Sequence, residues 1–552
     1  MSREAIDFSD DRLLTLAARK LDDHNLIGAL KILNKNAELN FDDDRSFMLY
    51  AEVFDDMELY EKSVNNWFRY LDEAPEGDLA DAYEGLAVNY MNLDNEHFAA
   101  YYYNKLLIET DDLSPDARRE IIDGFLRKRE NPLHFVYPPQ IADFSAEISR
   151  GVEFMRAQQY DRAIEQFDKV TEGNPRYFSA RNYIAMCNII CDKCDEAEAE
   201  CLSILKSKPD DVQALTTLAA VKTEQKRADE GRELAFKLVS LNAKDPDDIY
   251  KIATVCCENK LHKEAFELFC KLEGDFAYDT TVLYFKAIAA YNSGNYEESF
   301  AAFDKLLTIN PDAVVARYYL RRARENVAAG KQEEFGYFYR LPQDVRESSL
   351  EFLSAFYRLP GRGAMKLAKD VNVLECIKWS FDETENSEDN QLHLVAALCA
   401  VKGGYDDYVR GLLLNAFLSD GLKISVLHDI CERNEDNQFG VVICNIYKCV
   451  DIYALHIGRA KRKHFLSAYS VLVSRFGILD EGYSAKFCGA AERLYKAMSR
   501  YGNLELAADE RALSAAMFTV SGIRQSEVPQ SDVCSFFDAD KKAYEAIMEA
   551  MQ

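Results

Sequence analysis

The sequence predicts an all-α chain: an α-solenoid of helical hairpins over its first 330 or so residues, followed by an irregular helical C-terminal region. Three observations predict it. Small and aromatic residues recur at a fixed 34-residue period. Only 12 Pro and 24 Gly occur in 552 residues, too few for the dense turns of an all-β fold. Apolar residues at helical spacing continue where the period stops. A single core does not serve so long a chain, since cores stop growing near ~250–300 residues.

The period is clearest from Gly151, which is followed at equal intervals by Ala185, Ala219, Ala253 and Ala287. Twelve residues beyond each stand Ala163, Ala197, Gly231, Ala265 and Ser299. Sixteen beyond each stand Phe167, Cys201, Ala235, Phe269 and Phe303. Pro175, Pro209 and Pro311 close units on the same ruler, with Ala243 and Ala277 in the two intervening slots. Small residues twelve apart mark where the two helices of a hairpin approach closely, and the aromatic one turn further on fills the gap between hairpins. A proline ends one hairpin and opens the next, because it cannot sit inside a helix. Gln158-Gln159-Tyr160 and Ser293-Gly294-Asn295-Tyr296 read as inter-helix turns. No hairpin buries its apolar face alone, so stacking is required.

Upstream, Ala51, Ser63, Trp67 and Pro75 repeat the pattern, with Tyr60 in the turn. Ala87, Ala99 and Tyr103 keep the internal spacing but are shifted by two residues, which implies a short insertion. Ala17, Ala29 and Leu33 make a weaker first unit, as a terminal cap does. The expected organisation is about three units within 1–130, a Pro-containing linker at 131–142, five units plus a capping helix over 143–330, and a helical region over 335–552. The capping helix, Val314–Ala329, is rich in arginine and stops at Gly330.

From Phe335 the period fails. Helical patterns remain at Val345–Tyr357, Gln391–Val401, Asp406–Leu418, Phe465–Phe476 and Ala485–Tyr501, separated by stop signals such as Leu359-Pro360-Gly361 and Gly403-Gly404. The region reads as all-helical, either a degenerate continuation of the array or a bundle packed on it. The acidic tract Asp382–Asp389 reads as a loop.

The unit from Tyr291 through Asn295-Tyr296, Ser299 and Phe303 to Asn310-Pro311 closely resembles the tetratricopeptide repeat, and so does Gly151 to Pro175 through Tyr160, Ala163 and Phe167. The units around Ala219 and Ala253 depart from it by lacking the proline. The resemblance implies a stack whose first helices line a concave groove that binds a protein or peptide. It places Ile148, Val152, Met155, Tyr183, Met186, Ile190, Thr217, Tyr250, Tyr284, Ile288 and Tyr291 toward that groove. Such a lining suits an extended peptide or an amphipathic helix, with tyrosines as anchors. Members that clamp acidic chaperone tails carry Lys, Asn and Arg on the first helices. Here Ile148, Val152, Tyr183, Gln213 and Thr217 stand there, so that clamp is not expected.

The formal net charge of −28 repels phosphate backbones and disfavours nucleic acid as a partner of the whole chain. One stretch reverses the sign. Between Asp451 and Asp480 no acid occurs, while Arg459, Lys461, Arg462, Lys463 and Arg475 do. It reads as a solvated helix face, or as a docking patch for an acidic peptide, nucleic acid or an anionic surface. Cys187, Cys191, Cys194 and Cys201 lack paired metal-ligand spacing, and Cys201 occupies the aromatic packing column, so they read as buried thiols rather than zinc ligands. No metalloprotease, nucleophile-elbow or phosphate-loop motif occurs, and no cofactor or metal is expected. Met1–Asp7 lacks a leader pattern and no long apolar run is present, so a cytoplasmic protein is expected. The leading expectation is a non-enzymatic adaptor. A nucleic-acid-associated regulator using 452–479, and an enzyme with a repeat docking module, stay open as alternatives.

Overall fold

The computed structural model describes residues 10–39, 44–74, 79–109, 114–128, 145–172, 176–370, 373–382, 390–432, 438–458, 461–477, 480, 482–523 and 533–551. The expected linker, the closing prolines Pro75 and Pro175, and nearly all of the acidic tract lie outside them. Among the described residues the fold is all-α with one small hairpin of strands. It divides into two compact units, one of residues 1–126, 312–315 and 340–552, the other of residues 127–311 and 316–339.

In the first unit, three helical hairpins follow one another: α1 (Asp10–Asp22) with α2 (Leu26–Leu39), α3 (Asp44–Asp56) with α4 (Tyr60–Glu73), and α5 (Ala80–Asn92) with α6 (Glu96–Glu109). A single helix, α7 (Pro115–Lys128), comes next. A small residue outside the column, Gly85, also permits close packing. A Cβ on Gly85 would meet the Trp67 ring at 2.3 Å, so the indole lies directly on the neighbouring backbone. Trp67, Phe68, Tyr83, Tyr90 and Tyr102 form the core of the last two hairpins, together with Leu414 and Val442 from the C-terminal region.

That region is a helical bundle with its own large core, running from Leu353 and Phe356 to Ile547. It is not wholly helical. Gln438–Ile443 (β1) and Ile446–Asp451 (β2) pair antiparallel, with Gln438 opposite Asp451 and Ile443 opposite Ile446. Cys444 and Asn445 turn the corner with φ of 51° and 58°, the two left-handed residues of a tight hairpin. The hairpin tip docks on the first block: Asn445 accepts from the Tyr90 hydroxyl through Oδ1 at 3.0 Å and from the Tyr102 hydroxyl through its carbonyl at 2.6 Å. Along α4, Asn65, Arg69 and Asp72 make a stripe at helical spacing. Asn65 Oδ1 accepts from the Ala416 N–H at 2.9 Å, Arg69 pairs with Asp407, and Asp72 accepts from Tyr447 at 2.7 Å and from Arg410.

The second unit is a run of five hairpins. They are α8 (Ser145–Arg156) with α9 (Tyr160–Phe167), α10 (Tyr177–Ile190) with α11 (Cys194–Ser207), α12 (Val212–Glu224) with α13 (Ala228–Ser240), α14 (Pro246–Glu258) with α15 (His262–Asp275), and α16 (Thr280–Asn292) with α17 (Tyr296–Ile309). A further helix, α18 (Val314–Ala329), ends at Gly330 with φ of 62°. The 34-residue period is written into the backbone as well as the packing. Gln158, Asp192, Lys226, Lys260 and Gly294, each at the same point of its inter-helix turn, have φ between 57° and 86°. Only the last is the residue type that favours this conformation. Asp211, Asp245 and Asp279 cap α12, α14 and α16, each carboxylate accepting from a backbone N–H of the following turn.

Candidate peptide-binding face

The face made by the first helices of the second unit has two parts. Among the described residues of this unit, it is open from α8 to the start of α14. Ile148, Val152 and Met155 on α8 are half-buried against the core of the first hairpin. Met186 on α10 is half-buried and Ile190 is 54% exposed. Tyr250 on α14 is 38% exposed, its ring edge-on to Phe269 at 6.5 Å. Two expected lining residues are placed differently. Tyr183 stacks on Phe167 at 4.9 Å, between successive hairpins, and Thr217 is buried with its hydroxyl accepting from Gln213 at 3.3 Å. Each sits one residue past the lining position, and Tyr183 turns back toward the preceding hairpin rather than along the face.

From the end of α14 to α18 the face is filled. Tyr284, Ile288 and Tyr291 are at most 4% exposed because the segment after α18, residues 331–339, lies over them without regular secondary structure. Phe335, only 3% exposed, stacks on Tyr291 at 4.2 Å and meets Tyr319 edge-on at 5.2 Å. Asn292 Nδ2 donates to the Phe335 carbonyl at 2.8 Å, and the Phe335 N–H donates to Asn292 Oδ1 at 2.9 Å. Glu333 accepts from Arg322 Nε at 2.9 Å and from Asn326 Nδ2 at 2.7 Å; these bonds hold its carboxyl below the usual range against the opposing effect of burial. Glu334 pairs with Lys260 at 2.9 Å. Tyr337 stacks on the His262 ring, and its hydroxyl lies 2.8 Å from Nδ1. Burial lowers the His262 pKa, which suits a neutral imidazole accepting from the phenol. Further on, the Tyr284 hydroxyl donates to the Phe338 carbonyl at 3.1 Å, and Tyr284 meets the Tyr339 ring edge-on at 4.7 Å.

None of the strap's partners Asn292, Asn326, His262 and Lys260 stood among the residues expected from the sequence. Asn292 directly follows Tyr291 at the end of the same helix, and its short amide was the available signal.

The cationic stretch of the first unit is divided by the fold. Arg459 lies outside the described residues. Arg462 pairs with Glu432, whereas Lys461 and Lys463 are exposed. Arg475 packs over Phe537 and lines a cavity of about 300 Å³ together with Glu510, Arg511 and Asp538. Of the four clustered thiols, Cys187 and Cys201 are buried as expected, whereas Cys191 and Cys194 are half-buried. Burial pushes Cys187 up to about 11 and Cys201 up to about 12. Among the described residues, no group of three or more His, Cys, Asp or Glu side chains is arranged to hold a metal ion. Also among them, no helix is long and apolar enough to cross a membrane.

A family model described as tetratricopeptide repeat matches residues 148–212. Curated protein sequences give no match. Among solved structures, YrrB, a TPR protein with an unusual peptide-binding site, is 16% identical over 32% of this chain and 92% of its own, with a TM-score of 0.26. The TPR2AB-domain:pHSP90 complex of yeast Sti1 is 15% identical, covering 48% of this chain and 98% of the other, at 0.20. The human IFIT1 dimer with PPP-AAAA is 13% identical, covering 89% and 96%, at 0.26. Likenesses this distant carry no argument about ligands.

Proposed function

We propose that this chain of helical hairpins, whose residues 148–212 match the tetratricopeptide repeat, is a non-enzymatic interaction scaffold holding an extended peptide or helix of a protein partner on the first-helix face of its second unit. The observation that carries the reading is the two-part character of that face. One part holds an extended segment of the chain itself, by stacking and by bonds to its backbone. The adjoining part presents Met186 and Ile190 in the same row of first helices with apolar surface exposed. A face that binds backbone through side-chain amides and buries aromatic anchors is the physical requirement for peptide recognition. The first-helix positions Ile148, Val152 and Gln213 supply no cation for a terminal carboxylate, so the reading is of an internal segment. A cytoplasmic setting fits the fourteen cysteines, all of them free thiols.

The test is crosslinked recovery of partners from the native host, using the full chain and a variant with Met186→Asp and Ile190→Asp. A protein lost from that variant but retained by Leu202→Asp, an exposed control on α11, is the expected result. Identical recovery by all three chains would sink the reading.

A further inference from the structure

The strap over α14–α18 is held as a ligand is held, by a series of subsites each with its own chemistry. A carboxylate subsite is made by Arg322 and Asn326, 2.9 and 2.7 Å from Glu333. Asn326 also donates to the Tyr291 hydroxyl at 3.1 Å, which ties this subsite to the next. That next subsite is aromatic: Tyr291 below and Tyr319 at the edge enclose Phe335, while Asn292 takes both backbone groups of the same residue. The third receives a phenol, with the His262 ring stacked on Tyr337 and Nδ1 at its hydroxyl. Lys260 faces the second carboxylate, Glu334. The pattern read from the occupant is acid, acid, aromatic, small, tyrosine. Gly336 is the small member, and a Cβ there would meet the Phe338 ring at 2.4 Å.

Several features make this occupant exchangeable. It has no helix or strand of its own. Both ion pairs are substantially exposed, the Arg322–Glu333 side chains at 38% and 37% and Lys260–Glu334 at 67% and 48%, so they hold weakly against water and salt. The backbone of Phe335 is bonded by a side-chain amide, which accepts any residue in that backbone conformation.

We infer that the α14–α18 subsites recognise a partner segment of the same chemistry, an extended peptide reading acid–acid–aromatic–small–tyrosine, and that residues 333–337 are its intramolecular competitor. The inference deepens the scaffold reading and rests on it, naming the partner's chemistry and a built-in means of limiting access.

The test uses the full chain and a labelled synthetic peptide of residues 331–339, followed by fluorescence anisotropy. The wild-type chain, whose subsites are filled, is expected to bind it at least tenfold more weakly than a chain carrying Phe335→Ser and Tyr337→Ser. Adding Asn292→Ala should return the affinity to the wild-type level, and replacing the peptide's two glutamates with glutamine should weaken it severalfold. No binding by the folded double variant, or equal binding of a scrambled peptide, overturns the inference. Should the double variant unfold, hydrogen exchange on the wild-type chain decides. Excess peptide must speed exchange at the Phe335 amide, and an unchanged rate overturns it. Loss of this result while partner recovery still depends on Met186 and Ile190 removes the inference alone. The opposite pattern removes the scaffold reading of the open face.

Discussion

The carboxamide of Asn292 closes a two-bond ring on the backbone of Phe335, donating to its carbonyl at 2.8 Å and accepting from its N–H at 2.9 Å. A neighbouring strand would satisfy a residue in the same way, yet no strand is present here. Asn292→Ala leaves both groups of a buried residue without their partner, a loss of roughly 1–3 kcal/mol in strap docking. Exchange of the Phe335 amide should therefore quicken by one to two orders of magnitude. Asn292→Asp keeps the acceptor and loses the donor, so its effect should fall between the two. Unaltered exchange in Asn292→Ala would show that stacking on Tyr291 holds the strap unaided.

The recurring left-handed residue of the inter-helix turns gives a second test. Lys226 and Lys260 have φ of 61° and 57°, a region that disfavours a side chain, whereas Gly294 occupies the same point of its turn at 86°. Lys226→Gly should raise stability by about 0.5–1 kcal/mol, the strain relieved exceeding the added freedom of the unfolded chain. Gly294→Ala should lower it by ~1–2 kcal/mol. Urea midpoints of the two variants should move in opposite directions.

Acid should weaken the first unit through His428. Its Nε2 accepts from the Leu455 N–H at 2.8 Å, and burial, assisted by Arg462, lowers its pKa to about 4. A base whose folded pKa lies below its unfolded value of 6.5 binds fewer protons when folded. Its stabilising effect is complete above about pH 6.5 and is lost as pH falls from there to about 4. Roughly 3 kcal/mol is at stake over that interval. Denaturant titrations at several pH values should show this slope, and His428→Gln should flatten it.

The Asn445 contacts predict that the first block depends on sequence more than three hundred residues away. Tyr102→Phe removes the 2.6 Å bond to the Asn445 carbonyl and should destabilise the unit by about 1 kcal/mol. Tyr90→Phe should act similarly through Asn445 Oδ1. The two phenol rings stack at 5.8 Å, so the double variant should depart from the sum of the singles. Strict additivity would mean that the rings act independently.

The repeats were legible because their period acts at several levels at once. Gly151 is small so that the Phe167 ring can lie where a Cβ would be 2.4 Å away, and the same columns of small and aromatic residues recur. The two-residue shift before Ala87 reappears in the backbone, where Glu58 and Asp94 hold left-handed positions separated by the same extra length. The β-hairpin was missed, although Val441-Val442-Ile443 and Ile446-Tyr447 flank a two-residue corner, because Cys-Asn is a rarer turn pair than Asn-Gly. That so apolar a groove invites a cover, for which the C-terminal helices were the candidate, is legible in its composition, but the strap that fills it over Tyr284 and Tyr291 is not. Which side chain meets Phe335 is set by chain return after α18, and periodicity carries no information about a segment without a period.

Binding of partners to the open first-helix face can be read from a photoactivatable benzophenone side chain placed at Ile190, with the same group at Leu202 on α11 as the comparison. Both positions are exposed, at 54% and 45%, so both variants should fold. Binding there gives a covalent partner adduct from position 190 and none from position 202. Adducts from 202 alone, or equally from both, would place the partner elsewhere.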